Sequence, residues 1–239
     1  MDTPIEPIRT LVIANRILAR EGVVDGFGHV SMRHPGRPDR FLLSCSRSPE
    51  LVGVDDILEF RLDGEAVDSR GRDVYLERFI HAAVFEARAD VQAVVHSHAP
   101  ETIPFGVTGT PLRPMFHVAA RMGATVPVWD IADRFGATNL LVANMAQARD
   151  MTATMGANRM VLMRGHGITI GAATLHDAVT TAIYANLNAR LQFQAMLMGE
   201  VRYLSPEEQA EAVKLSTGGT LGGRRTWDYF RHRAGCDEM

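Results

Sequence analysis

The sequence has few cysteines, no long apolar run and no basic stretch. Two cysteines in 239 residues, Cys45 and Cys236, cannot build a disulfide framework, which fits a reducing compartment. No run of about 18 apolar residues occurs, so we expect no membrane span. The opening MDTPIEPIRT is acidic and contains proline, so we expect no secretory signal. These absences predict a cytoplasmic protein.

The charge balance argues against a nucleic-acid partner. The net charge is -3, and Lys and Arg are scattered rather than gathered in a stripe. Hydrophobic residues at 46% and charged residues at 22% are typical of a globular protein. No repeat and no Gly/Ser/Pro-rich linker divides the chain. We expect a single domain over residues 1–239, with 206–239 as a C-terminal extension, acting on a small molecule.

Helical and strand periods alternate along the chain. Apolar residues at helical spacing predict helices over 8–22, 75–88, 139–156 and 174–199. Strand patterns cover 29–33, 40–44, 91–98, 123–128 and a hairpin over 57–67, and a strand–turn–strand unit covers 159–171. Helices mixed with hairpin-linked strands favour an α/β fold with a mixed or mainly antiparallel sheet.

The stretch AVVHSHAP places two histidines at the end of an apolar strand. Because residues i and i+2 share a face, His96 and His98 point the same way, at a spacing that suits one metal ion. The alternative is a pair of solvated histidines. His166 lies between two glycines, where a turn could aim its ring into a cleft or into solvent. Three such nitrogens suit a divalent metal with open coordination positions.

Glu77 is a further candidate near this set. It falls in the first turn of the predicted helix, beside the apolar stripe, and His81 shares its helical face at i+4 and could hydrogen-bond to it. A carboxylate at such a border is commonly a surface or salt-bridged residue. Near a metal it could be a ligand or a proton shuttle.

Together these motifs resemble the class II aldolase/adducin family. YLERFIHAAVFEARADVQAVVHSHAP followed by VLMRGHGITI matches its helical Glu, its His-x-His strand and its later His-Gly, and GHVS matches its Gly-Asn-x-Ser region with His29 in place of Asn. The resemblance covers about residues 5–205. It implies a three-layer α/β/α fold with a central, mainly antiparallel sheet, and a homotetramer with the site at a subunit interface.

The resemblance also implies a ligand set. His96, His98 and His166 would hold one divalent metal ion per subunit (Zn, Mn, Fe or Co), with Glu77 as acid/base or displaceable fourth ligand. His117 stands where aldolases of the family place a Tyr that reaches across the interface. It is therefore the candidate proton donor from a neighbouring subunit, with a structural interface histidine as the alternative.

The phosphate-binding motifs of the sugar-phosphate members are altered here. His29 replaces the Asn, no Gly follows Ser44 or Ser46, and Tyr75 and Leu76 stand in place of a hydroxyl pair. A phosphate needs several converging donors, so these changes argue against a phosphorylated sugar.

The phrases HSHAPETIPFGVTGTPLRPMFHVAARMG and DIADRFGATNLLV are similar to a bacterial branch that decarboxylates hydroxylated aromatic acids, 3,4-dihydroxyphthalate among them. We predict a metal-dependent carbon–carbon lyase of that kind, because breaking a bond beside an oxygen-bearing carbon calls for a Lewis acid. The alternatives are an aldolase or epimerase of a sugar or hydroxyacid derivative, an iron oxygenase of a hydroxybenzoate-type acid, and a metal-free scaffold.

Two further sets of side chains are candidates for contact with such a substrate. An aromatic ring would suit four apolar side chains that could equally be core: Tyr75, Leu76, Met115 and Phe116. A second carboxylate could be bound by polar side chains from the presumed anion pocket, a strand end and the long helix: His29, Ser31, Ser44, Ser46, Arg47, Arg164 and Tyr184. The tail RTWDYFRHRAG either covers a neighbouring cleft or packs on its own chain.

Overall fold

The fold is that of a computed structural model, in which residues 4–214 and 220–239 are described. Within those residues seven strands form one sheet: β1 His29–Arg33, β2 Arg40–Ser44, β3 Ile57–Arg61, β4 Ala93–Ser97, β5 Val128–Trp129, β6 Met160–Met163 and β7 Gly167–Ala172. The α-helices are α1 Ile5–Arg20, α2 Arg78–Ala87, α3 Ile103–Val107, α4 Ala132–Phe135, α5 Met145–Met155, α6 Leu175–Met198, α7 Pro206–Lys214 and α8 Leu221–Arg233.

The sheet has the strand order β3-β2-β1-β4-β7-β6-β5. Neighbouring strands are antiparallel except β5 and β6, which are parallel. One apolar core lies between the sheet and α1, α6 and α8, and a second lies between the opposite face and α2 and α5. The expected three-layer α/β/α fold with a mainly antiparallel sheet is confirmed.

Local chemistry explains where the long helices begin. The side chain of Thr174 accepts a hydrogen bond from the backbone N–H of Asp177 at 3.1 Å, so α6 starts where the Thr-x-x-Asp pattern predicts. α5 begins six residues later than expected, because Asn144 caps it by accepting from the N–H of Gln147. The predicted helix over 139–144 is therefore a loop.

Three other expectations need correction. The hairpin over 57–67 does turn at Gly64, whose φ is +85°, but its second arm is a single bridge between Phe60 and Ala66. β5 holds two residues instead of the six over 123–128. β1, expected to be half-buried, starts with three buried residues because helices cover both faces of the sheet.

The C-terminal helix packs on its own chain. Trp227 and Phe230 of α8 are buried in the core beside α1 and α6, and the Trp227 ring stacks on His176 with 3.9 Å between ring centroids. Of the two readings of the tail, the described residues support packing within the chain. In the described ranges, no helix combines the length and apolarity that crossing a membrane would require.

Candidate metal centre

Strand register assembles the histidines at the centre of the sheet. β1 and β4 pair so that His29 lies opposite His96, and β4 and β7 pair so that Thr169 lies opposite His96 on its other side. His98 follows β4 directly, two residues after His96. His166 occupies the turn between β6 and β7, which brings it to the end of β4.

Two glycines allow this turn to approach β4. Gly165 has a φ of +63°, a conformation that side chains disfavour. At Gly167, a Cβ atom would lie 2.1 Å from the carbonyl oxygen of Ser97 and 3.2 Å from the Cα of His98. Only glycine therefore lets the His166 turn come this close to His98.

One donor atom from each of Glu77, His96, His98 and His166 lies within 4.8 Å of the others. The Nε2 atoms of His98 and His166 are 3.0 Å apart. Oε2 of Glu77 lies 3.5 Å from Nε2 of His96 and 3.4 Å from Nε2 of His166. Glu77 directly precedes α2 rather than occupying its first turn, which turns its carboxylate toward the strand ends.

These side chains fit a divalent metal ion. The Nε2 of His96 is buried and has no hydrogen-bond partner within the described residues, a costly arrangement unless something else satisfies it. Three imidazole nitrogens and one carboxylate are a donor set that Zn, Mn, Fe and Co accept. On its other side, Nδ1 of His96 faces the hydroxyl of Thr169 at 3.4 Å, which helps orient the ring.

The pKa shifts favour the protonation states of Glu77 and His98 that bind metal. Burial raises the pKa of Glu77, but the imidazoles of His166 and His96 outweigh it and hold the pKa well below its usual range. Burial, with the nearby imidazoles of His96 and His166, lowers the pKa of His98 to about 4. At neutral pH Glu77 is thus a carboxylate and His98 is neutral, the forms that bind metal. The second oxygen of Glu77, Oε1, accepts a hydrogen bond from the N–H of Val142 at 2.9 Å.

A cavity of about 620 Å³ opens at this centre. Its polar lining comes from His98, His166 and Asn139, and the rest of the lining is Gly165, Pro100, Ile103, Pro104, Leu140 and Leu141. Leu140 has a φ of +67°, and the contact of Val142 with Glu77 anchors the loop that carries it. The lining contains none of the four apolar residues that the sequence suggested for a ring.

Those four residues lie elsewhere. The ring of Tyr75 lies beside that of His29, tilted by 45° with 4.6 Å between centroids, and Leu76 is half exposed. Phe116 packs against Tyr184, and Met115 borders a separate surface cavity beside the end of α6. None of the four lines the cavity at the metal centre of this chain, and their contact with a ring stays a prediction.

A second histidine group lies beside the first. Nδ1 of His29 is 2.6 Å from Nε2 of His81, and Nδ1 of His81 is 2.6 Å from the hydroxyl of Ser31. His81 therefore pairs with these two side chains and not with Glu77 as predicted. Burial lowers the pKa of His81 to about 3 and the pKa of His29 well below its usual value, so both rings are neutral at neutral pH.

The two serines nearest to the presumed anion pocket are closed off. Ser31 has no exposed surface and faces His81. Ser44 is equally buried and donates to the hydroxyl of Tyr75 at 3.3 Å, and that hydroxyl donates to the carbonyl of Arg47. Within this chain, Ser31 and Ser44 are therefore buried and already hydrogen-bonded, and their contact with a substrate stays a prediction.

The other predicted anion-binding residues have protein partners or lie at the surface. Ser46 is exposed, and its backbone N–H donates to the carbonyl of Asp73. The guanidinium of Arg47 lies 3.3 Å from the carboxylate of Asp56, and that of Arg164 pairs with Asp130. Contacts of these arginines with a substrate stay predictions.

His117 and Tyr184 share a different cavity, of about 550 Å³, with the buried Arg121 and residues of α7 and α8. Among the described residues, this cavity and the one at the metal centre have no lining residue in common. One chain therefore does not bring His117 and Tyr184 to its own metal centre. Their roles stay predictions that concern an assembly.

Comparison with known proteins gives the family. The model of the Class II Aldolase and Adducin N-terminal domain matches residues 9–193. The chain is 32% identical over 231 residues to the decarboxylase tropJ of Talaromyces stipitatus, covering 87% of each chain. It is 31% identical over 233 residues to a 3,4-dihydroxyphthalate decarboxylase of Arthrobacter keyseri, covering 91% of this chain and 89% of the relative.

A solved aldolase II superfamily protein from Pseudomonas syringae has the same fold, with a TM-score of 0.80 and 21% identity over 99% of this chain and 96% of the other. The chain belongs to the class II aldolase and adducin family. The predicted resemblance to its aromatic-acid decarboxylase branch is confirmed. Decarboxylases and aldolases both cleave carbon–carbon bonds, and the prediction of a carbon–carbon lyase is confirmed with them.

Proposed function

We propose that this member of the family decarboxylates a hydroxylated, catechol-type aromatic acid such as 3,4-dihydroxyphthalate. It would use one divalent metal ion per subunit (Zn, Mn, Fe or Co) and would work as a homotetramer with the site at a subunit interface. One observation carries the proposal: two members of the cluster of Glu77, His96, His98 and His166, namely His98 and His166, line a cavity with mainly apolar walls.

The walls suit a flat ring better than a sugar. Ile103, Leu140 and Leu141 offer apolar surface, and the loop of Asn139 adds one amide. A sugar phosphate would need converging hydroxyl and N–H donors, whereas Ser31 and Ser44 are engaged by His81 and Tyr75. The apolar walls and the engaged hydroxyls of Ser31 and Ser44 therefore favour a decarboxylase over an aldolase.

The reaction is redox-neutral. The bond between the ring and one carboxylate breaks, its electron pair stays on the ring carbon, that carbon takes up a proton, and CO2 leaves. A bound divalent metal would supply Lewis-acid stabilisation of the charge that develops on the substrate oxygens.

In this proposal a group on the protein delivers the proton. Glu77 is a carboxylate in the resting site, so it can take the proton of a ring hydroxyl and deliver it to the ring carbon; the product hydroxyl regains its proton from solvent. His117 from a neighbouring subunit is the second candidate donor. Replacing each by Gln or Asn in turn, and comparing kcat, distinguishes the two.

The test is an anaerobic incubation of the metal-loaded protein with 3,4-dihydroxyphthalate, followed by chromatography. We expect protocatechuate to appear with wild type and not with His96→Ala. Formation that needs air would instead indicate an oxygenase. No product with this acid, together with cleavage of an aldol donor, would contradict the proposal.

A further inference from the structure

We propose that Ser31, His81 and His29 form a hydrogen-bonded relay that fixes the tautomer of His29, so that its Nε2–H donates to a carboxylate oxygen of the aromatic acid. The identity of the ligand rests on the proposed function, but the relay itself does not. His29 would contact the substrate, whereas Ser31 and His81 would be positioning residues that act through it.

The geometry of the relay leaves one nitrogen open. Both hydrogen bonds measure 2.6 Å, and together they occupy both nitrogens of His81 and Nδ1 of His29. Nε2 of His29 makes no hydrogen bond within the described residues. Ser31 and His81 have no exposed surface, while His29 keeps 3% of its surface exposed. The serine end of the relay is therefore buried, and of its three residues only His29 is exposed.

The direction of the two hydrogen bonds is coupled. A neutral imidazole has one donor and one acceptor nitrogen, so each ring must donate at one side and accept at the other. If the hydroxyl of Ser31 donates to Nδ1 of His81, then Nε2–H of His81 donates to Nδ1 of His29, and Nε2 of His29 carries a proton. An anionic carboxylate needs a donor, which selects this direction.

His29 lies beside the metal centre. It pairs with His96 across β1 and β4, and the two rings lie 5.1 Å apart between centroids. The ring of Tyr75 flanks it on another side at 4.6 Å. His29 thus lies beside a proposed metal ligand, with its ring in contact with that of Tyr75 and its Nδ1 held by the relay.

Steady-state kinetics of the metal-loaded enzyme test the link to substrate. Ser31→Ala removes the fixed end of the relay and should raise KM about tenfold with kcat changed less than about twofold, because a hydrogen bond made equally before and during reaction affects binding alone. Ser31→Thr keeps the hydroxyl and should restore KM. Thr181→Val removes an equally buried hydroxyl of α6 that has no hydrogen-bond partner among the described residues, and serves as control.

Nitrogen NMR of the zinc-loaded protein with 15N-labelled histidine tests the relay without turnover. We expect a pure Nε2–H tautomer for His29, assigned by its loss in His29→Gln, and a tautomer mixture in Ser31→Ala. Adding protocatechuate should shift the Nε2 signal of wild type. The wild-type spectrum alone decides the tautomer should Ser31→Ala not fold.

A wild-type His29 that is protonated on Nδ1, or that exchanges between tautomers, would overturn the relay. An unchanged KM in Ser31→Ala would overturn the proposed contact between His29 and the substrate. Absence of turnover in wild type would overturn the proposed function instead, and the tautomer measurement would still decide whether the relay exists.

Discussion

Two groups of histidines lie side by side in this protein and differ in what their nitrogens meet. In the first, His96, His98 and His166 turn nitrogens toward one another and toward Glu77. In the second, His29 and His81 hydrogen-bond to each other and to Ser31. Both groups are largely buried, so burial alone does not separate them.

The two groups differ in whether the buried nitrogens of their histidines have hydrogen-bond partners. Nε2 of His96 is buried without a hydrogen-bond partner in the described chain, which is tolerable where a metal ion completes the site. His81 has partners at both nitrogens and needs nothing further. Nε2 of His96 is therefore available to a metal ion, whereas His81 has no nitrogen left for one.

Replacing a proposed ligand should have the largest effect. His98→Ala should remove bound metal and lower kcat/KM for decarboxylation more than about 100-fold, since loss of an outer-shell partner alone costs 10–100-fold. Metal content by mass spectrometry and product formation are measured on the same sample. His232→Ala, at an exposed histidine paired with Asp237, is the matched control. A His98→Ala variant that keeps its full metal content would contradict the assignment of the metal to the first histidine group.

Adding a side chain to the turn that carries His166 should have the next largest effect. Gly167→Ala places a Cβ against the backbone of Ser97, so strands β4 and β7 must separate. We expect a loss of about 1–3 kcal/mol in the free energy of unfolding, with weaker metal binding. Gly109→Ala adds a Cβ with nothing within 4 Å. Equal urea midpoints for the two variants would show that close approach at Gly167 is unimportant.

Replacing His81 should change stability and leave the metal in place. His81→Phe keeps a ring beside Phe41 but leaves Ser31 and His29 without a partner. We expect about 1–3 kcal/mol of destabilisation in urea, with one metal ion still bound per chain. Loss of the metal from this variant would mean that the two groups act as one site.

The same variant should show a small, pH-dependent signature in metal-stripped protein. The pKa of His81 is lowered to about 3 by burial, whereas in the unfolded chain it is near 6.5. The unfolded chain therefore binds the extra proton between these values, and wild-type stability falls as pH falls, by about 1.4 kcal/mol per pH unit for one proton. His81→Phe lacks this contribution, so its stability deficit should narrow below pH 6.5. A deficit that widens in acid would contradict the assignment.

Much of the fold and of the metal centre can be predicted from short-range sequence patterns. Alternation along a strand placed His96 and His98 on one face, and the glycines around His166 indicated the turn. The family motif supplied Glu77. These features depend on neighbours within a few residues, which the sequence displays directly.

Long-range contacts were harder to predict. The i+4 rule paired His81 with Glu77, but strand β1 offers His81 two better partners, Ser31 and His29. Apolar spacing predicts a helix through Leu140 and Leu141, whereas the cap at Asn144 starts α5 after them and leaves both in a loop. Contacts between β1 and α2 depend on strand register, which no local period reveals.

The most direct test of the distinction between the two groups is equilibrium dialysis of chelator-stripped protein against zinc, with bound metal counted per chain. Wild type and His29→Gln should each bind one ion, and His96→Ala should bind none. A wild-type protein that binds no ion, or a His29→Gln variant that loses it while His96→Ala keeps it, would contradict the assignment of the metal to Glu77, His96, His98 and His166.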